Sequence, residues 1–174
     1  MKVGSETMTR AIRAQAEEEA SRVLGDFWDE NVVPVNPVSI AKRMGATVFE
    51  AQLPLDVSGM FHRDERGNDS VYLDVDDSFN KRRFTCAHEI GHLVRVPEGD
   101  TAVRIERRDR KSQTGRDPEE IFANSFGAAL LMPARVIRRL TLAGLPVHEI
   151  AKHLKVSEEA LENRLDNLRR DGVA

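Results

Sequence analysis

His88-Glu89-Ile90-Gly91-His92 sets two imidazoles four residues apart, with a carboxylate directly after the first. On a helix of 3.6 residues per turn the two histidines stand about 40° apart on one face and can share one metal ion. Glu89 sits about 100° round from His88, close enough to reach a water on that ion without being a ligand, which is where a general base belongs. The chemistry this pattern serves is metal-assisted hydrolysis. Zinc is the ion expected, one per chain, although two imidazoles and a carboxylate accept other divalent metals too. The plain alternative is two exposed histidines on an ordinary helix, so the surroundings must decide.

A catalytic zinc takes three protein ligands and keeps a fourth position for water. Asp117 followed by Pro118, with Glu120 three residues on, reads as a capping-box start for a helix reaching Leu131. On that helix Glu120 shares a face with Ala123, Asn124, Gly127 and Leu131, a stripe of mainly small side chains. Another helix can approach such a stripe closely, and Gly91 offers a matching gap on the histidine helix. Glu120 is therefore the expected third ligand, and Asn124, one turn on, could accept a hydrogen bond from the outer N–H of a ligating histidine. Glu120 could instead only complete the capping box. Glu98 is the rival ligand, ten residues after His88 as in metzincin proteases, but those need a glycine in between where this chain has Arg95.

The elements that must carry these residues follow in order. Thr7 to Leu24 reads as a surface helix closed by Gly25, and Val38 to Met44 as a short helix stopped by Gly45. Ala46 to Leu53 reads as a strand. Ser58 to His62 and Ser70 to Asp74 flank the turn-rich Arg66-Gly-Asn-Asp69, which predicts a β-hairpin whose exposed edge could take a substrate as an added strand. Tyr72 and His62 on that hairpin are candidate oxyanion donors, with ordinary strand roles as the alternative. Phe79 to Val94 forms the histidine helix, with Cys86, Ile90, Leu93 and Val94 turned to the core; Cys86 reads as a small buried hydrophobe rather than a nucleophile. Pro97 to Arg116 reads as a long charged loop, and within it the basic run Arg104–Arg116 as a mobile segment, a lid or a docking surface. After Met132-Pro133, apolar residues at Val136, Ile137 and Leu140 and the segments Val147–Leu154 and Ser157–Leu168 resemble a helix-turn-helix tail.

Composition limits the classes available. The chain has 174 residues, 40% hydrophobic and 32% charged, with net charge -3, which fits one globular catalytic unit and argues against a general nucleic-acid binder. The single cysteine excludes an internal disulfide and any cysteine-rich zinc motif. No apolar run is long enough for a membrane span and no signal peptide is evident, so the expected location is the cytoplasm. The acidic residues Glu149, Glu158, Glu159, Glu162 and Asp166 in the tail would repel phosphates, which weakens the alternative of a DNA-binding regulator. A third class is a non-catalytic, zinc-stabilised interaction module; the retention of Glu89 argues against it, because a structural site needs no base.

Arg83-Phe-Thr-Cys-Ala-His-Glu-Ile-Gly-His-Leu-Val94, followed by Glu120-Ile-Phe-Ala-Asn-Ser-Phe-Gly-Ala-Ala-Leu-Leu-Met-Pro133, resembles the paired signature of the ImmA/IrrE metallopeptidases. With the Ser58-Gly-Met-Phe run and the tail, the likeness extends over Val38 to Leu168. The resemblance implies an α+β protein, with a small, mostly antiparallel sheet packed against a helical zincin-like core and a helical tail. It divides into a metallopeptidase unit at 1–133 and an extension at 134–174. It further implies a cytoplasmic, gluzincin-like endopeptidase with His88, His92 and Glu120 as zinc ligands and Glu89 as catalytic base. Its substrate would be a specific protein, such as a helix-turn-helix repressor or antitoxin-like partner encoded nearby in a mobile element or stress-response system. Direct nucleic-acid or membrane binding is not expected, and the oligomeric state is left open. Two positions depart from the usual pattern, Cys86 where an aliphatic residue is commoner and Gly127 where alanine is. The long C-terminal sensory region of some members has no counterpart, so a built-in sensor is not expected.

Overall fold

The computed structural model describes residues 2–107 and 117–172, with side chains from residue 6 onward. Helix α1 spans Lys2–Phe27, past the stop expected at Gly25. Gly25 is exposed with open space around it, and a glycine inside a helix costs only about 1 kcal/mol. Ala16, Ala20, Val23 and Leu24, spaced along one face, are all buried and hold the helix together through that position. The short α2, Pro37–Arg43, begins where the Asn36 side chain accepts the Ser39 N–H at 3.1 Å and Pro37 occupies the first turn.

Four strands form one sheet: β1 (Thr47–Ala51), β2 (Val57–Arg63), β3 (Asp69–Asp74) and β4 (Ala102–Arg107), in the order β1-β3-β2-β4. The hairpin of β2 and β3 turns at Asp64, whose carboxylate accepts the N–H groups of Arg66 and Asn68, with Gly67 at φ +79°. Both β2 pairings are antiparallel, whereas β1 runs parallel to β3, so the α+β class and the mostly antiparallel sheet both hold. Two expectations need correction. The charged stretch from Pro97 contains strand β4, and the hairpin is interior, with β1 and β4 outermost among the described strands. Residues 108–116 of the expected basic loop lie outside the described residues.

Cross-strand pairing sorts the side chains between the two faces of the sheet. Gly59 pairs with Leu73 and Phe61 with Val71, and these residues are buried. Met60 pairs with Tyr72 and His62 with Ser70 on the opposite face, where Phe49 stacks on Tyr72 at 4.9 Å.

Helix α3, Phe79–Leu93, starts at the Ser78 cap and lies under the inner face of the sheet. Helix α4, Pro118–Leu131, starts at the Asp117 cap and crosses α3 on its other side. The crossing is made by small residues. A Cβ on Gly91 would stand 2.9 Å from Ala123 Cα, and one on Gly127 3.1 Å from the His88 nitrogen. Every residue from Thr85 to Leu93 is buried, so α3 is covered by the sheet and by α4 rather than being amphipathic. Helix α1 packs along α4.

The chain ends in α5 (Ala134–Leu142), α6 (Val147–Leu154) and α7 (Glu158–Asp171). Their residues Val136, Ile150, Leu154, Leu161 and Leu168 belong to the same apolar core as Ile90 and Phe126, which is therefore continuous across residue 133. Arg83 on α3 donates to Val35 O, Leu154 O and Lys155 O, and burial lowers its pKa. Arg164 on α7 donates to Met132 O and Glu17, and Arg13 on α1 makes a two-pronged pair with Asp171. No helix among the described residues is long and apolar enough to cross a membrane.

Candidate metal centre

The close crossing of α3 over α4 decides the geometry of the centre. With no side chains at Gly91 and Gly127, the backbones come near enough for residues of both helices to converge. His88 and His92 are one turn apart on α3, with rings meeting edge to face at 4.7 Å and Nε2 atoms 3.0 Å apart. From the first turn of α4, Glu120 brings Oε2 to 3.5 Å from His88 Nε2 and Oε1 to 3.5 Å from His92 Nε2. All three residues are buried, and among the described residues they form the group that could hold a metal ion, with ligand atoms within 4.8 Å of one another.

The spacing fits the ion that the donor types suggest. Tetrahedral ligands at bonds of about 2.0–2.1 Å stand roughly 3.4 Å apart, against 3.0, 3.5 and 3.5 Å here. The donor chemistry fits as well. His88 Nδ1 lies 3.1 Å from Asn124 Oδ1, an oxygen that can only accept. Nδ1 therefore carries the proton, and Nε2 presents its lone pair to the group.

Glu89 is fully buried on α3, and its carboxylate lies beneath β2. A Cβ on Gly59 would come within 3.3 Å of Glu89 Oε1 and 2.3 Å of Thr85 Cγ2, so a glycine in β2 is what lets the sheet settle over the base. Cys86, one turn before Ile90, is buried. Its thiol is pushed up to about 12, first by burial and then by the nearby Glu89 carboxylate.

The remaining candidates separate by position. Glu98 is exposed in the loop after α3, beside Arg63, and is not in the metal group. Tyr72 and His62 are displaced from the role of oxyanion donor. Both point to the sheet face away from α3, because strand alternation gives the inner face to Gly59, Phe61, Val71 and Leu73.

Sequence reasoning missed one residue altogether. Glu106 on β4 brings Oε2 to 3.4 Å from His88 Nε2, with a side chain only 14% exposed. The alternation of Val103 and Ile105 with Arg104 and Glu106 is a strand signal that could have placed it, but the surrounding charge suggested a loop.

The profile of the IrrE N-terminal-like domain, Peptidase_M78, matches residues 41–166. The chain belongs to that family. In this Peptidase_M78 chain the match takes in the sheet, the α3–α4 crossing with the whole metal group, and the tail as far as Asp166 in α7. No curated protein sequence matches it. Among solved structures it is similar to a Mycobacterium tuberculosis transcriptional regulator, at a TM-score of 0.61 and 16% identity. That likeness covers 92% of this chain and 52% of the regulator, so the chain spans about half the length of that protein. At this identity the two share a fold.

Proposed function

We propose that this protein is a single-zinc endopeptidase that cuts one specific protein partner in the cytoplasm, a helix-turn-helix repressor or antitoxin-like regulator encoded nearby. The observation that carries the reading is the convergence of His88, His92 and Glu120, with Glu89 on the same helix, in a chain of the Peptidase_M78 family. His88 and His92 hold the ion through their Nε2 atoms, and Glu120 through its carboxylate. Asn124 keeps His88 in the tautomer that can ligate.

A zinc ion bound there supplies Lewis acidity and an acidified water. Glu89 takes the proton from the attacking water and delivers it to the leaving amine, which its burial beneath β2 equips it to do. The closed packing of α3 between the sheet and α4 keeps bulk water from the base. With the hairpin interior, the β4 side of the sheet is where a substrate strand can be added by main-chain hydrogen bonds. Binding energy from docking of a folded partner then aligns the scissile bond, which confines cutting to that partner.

The test incubates the zinc-loaded protein and its Glu89→Gln variant with the regulator encoded beside it and, separately, with unstructured casein, and follows cleavage by mass spectrometry. One or a few cuts in the regulator, absent with Glu89→Gln, are the expected result. Rapid cutting of casein at many sites would overturn narrow specificity, and no cutting of either substrate would overturn the peptidase reading.

A further inference from the structure

Arg95 stands just past the end of the histidine helix, where three helices meet. Its amide donates to His92 O at 3.1 Å, so its backbone is seated on the carbonyl of a metal-group residue. Its guanidinium donates through Nη2 to Glu119 Oε1 on α4 at 2.6 Å and through Nη1 to Gln15 Oε1 on α1 at 3.2 Å. The flat face of the same group lies over the Phe122 ring, 4.8 Å from its centroid. A planar fork with donors on its edges and a face for stacking meets all three partners at once, which an ammonium cannot do.

Glu119 and Phe122, spaced i and i+3 on α4, share the face turned to Arg95. Glu120 stands about 100° round from Glu119, aimed at His88 and His92. It belongs to the first turn, the least secured part of a helix, because the leading N–H groups have no partner within it. Asp117 caps that turn, but a cap sets the shape of a turn and not its place against another helix. The tight contacts of the crossing, Gly91 with Ala123 and Gly127 with His88, lie farther along α4. A small tilt of α4 about those contacts would carry Glu120 across the Nε2 atoms of the histidines. Arg95 ties the turn to the end of α3 on the side where packing is incomplete: with His92, Arg95 and Glu119 line a cavity of about 100 Å³.

We propose that Arg95 is a positioning residue of the metal centre: by gripping Glu119 and Phe122 it fixes the first turn of α4, and with it the reach and rotation of the Glu120 carboxylate beside His92. The grip also settles which of two adjacent carboxylates serves the ion. Glu119 and Glu120 are neighbours on a terminal turn, and pairing with Arg95 withholds Glu119 from the ligand group. The Arg95–Glu119 pair is partly open to water, with side chains 31% and 39% exposed, so solvent screens it and it adds little to overall stability. Its contribution is to geometry, which separates its loss from an ordinary folding defect.

This inference rests on the metal-site reading, and the test separates the two. Zinc affinity is measured by chelator competition for the wild type, Arg95→Met, Arg95→Lys, Glu119→Ala, the double variant Arg95→Met/Glu119→Ala, and Glu120→Ala. The metal-free proteins are compared by thermal melting and the cobalt-loaded ones by visible spectrum. Arg95→Met is expected to bind zinc about tenfold more weakly, the lower end of the range for groups that orient metal ligands, and to shift the cobalt bands. Its metal-free melting temperature should stay within about 4 °C of the wild type. Arg95→Lys restores the charge without the fork and should recover part of the affinity. Glu119→Ala should cost affinity in the wild type and almost nothing more in Arg95→Met, because the two residues act as one. If Arg95→Met matches the wild type in zinc affinity and cobalt spectrum while Glu120→Ala weakens zinc, the inference is overturned and the metal site stands. A zinc loss that comes with a melting temperature lowered well beyond that range overturns it too, since Arg95 would then be a structural residue. If Glu120→Ala also leaves zinc binding intact, the metal-site reading itself fails.

Discussion

Asn124 on α4 accepts a hydrogen bond from His88 on α3, Oδ1 to Nδ1 at 3.1 Å, across the narrowest part of the helix crossing. The bond fixes both the tautomer and the ring plane of one imidazole from a helix that also carries Glu120, so the two helices orient each other's ligands. Asn124→Ala is expected to weaken zinc binding about 10- to 100-fold while leaving secondary structure intact. Competition with a chromogenic chelator measures it, and wild-type affinity in the variant would remove Asn124 from the site.

The crossing itself depends on two glycines to different degrees. A Cβ at Gly91 meets Ala123 backbone at 2.9 and 3.2 Å, atoms that cannot swing aside. Gly91→Ala should therefore cost about 1–3 kcal/mol of stability and lower metal affinity by moving α3 off α4. At Gly127 the nearest atoms are His88 N at 3.1 Å and Ala87 C at 3.3 Å, so Gly127→Ala should cost less. Urea denaturation together with zinc titration would decide; a Gly91→Ala protein as stable as wild type would contradict this account of the packing.

Arg83 holds the tail to the body of the protein through three backbone carbonyls, Val35 O at 2.8 Å and Leu154 O and Lys155 O at 3.3 Å. Arg83→Met leaves those acceptors in a region with little water. The expected loss is about 2–4 kcal/mol, the size seen when buried, charge-assisted hydrogen bonds lose their donor. A thermal melt with a loss below half of that would mean that water enters and replaces the guanidinium.

The Arg13–Asp171 pair between α1 and α7 gives stability a pH dependence. Hydrogen bonds from Arg13 hold the Asp171 carboxyl below the usual carboxylate range. A depressed folded pKa means that the unfolded chain takes up the proton first as pH falls. The stabilisation is thus complete above about pH 4, the ordinary aspartate value, and is lost as pH drops through the depressed folded value. Asp171→Asn should melt below wild type at pH 7, and the gap between the two should narrow as pH falls below about 4. A gap that stays constant as pH falls below about 4 would show that the pair is not the titrating element.

Some of the molecule could be read from the chain because the physics is local. The spacing of His88 and His92 fixes them on one helical face whatever surrounds them. Asp117, Pro118 and Glu120 announce a helix start through capping alone, and the small size of Gly91, Ala123 and Gly127 is enough to mark a close helix approach. The tertiary structure decided what local pattern cannot. Tyr72 and His62 face away from the metal group because pairing with neighbouring strands assigns their side of the sheet, and a register is set by partners distant in sequence. From Thr85 to Leu93, helix α3 is buried on every side because the sheet and α4 both close on it, where an isolated helix would read as half exposed. Glu106 reaches His88 only because β4 returns to pair with β2 across a bulge, joining residues 18 positions apart through a ladder that neither segment specifies by itself.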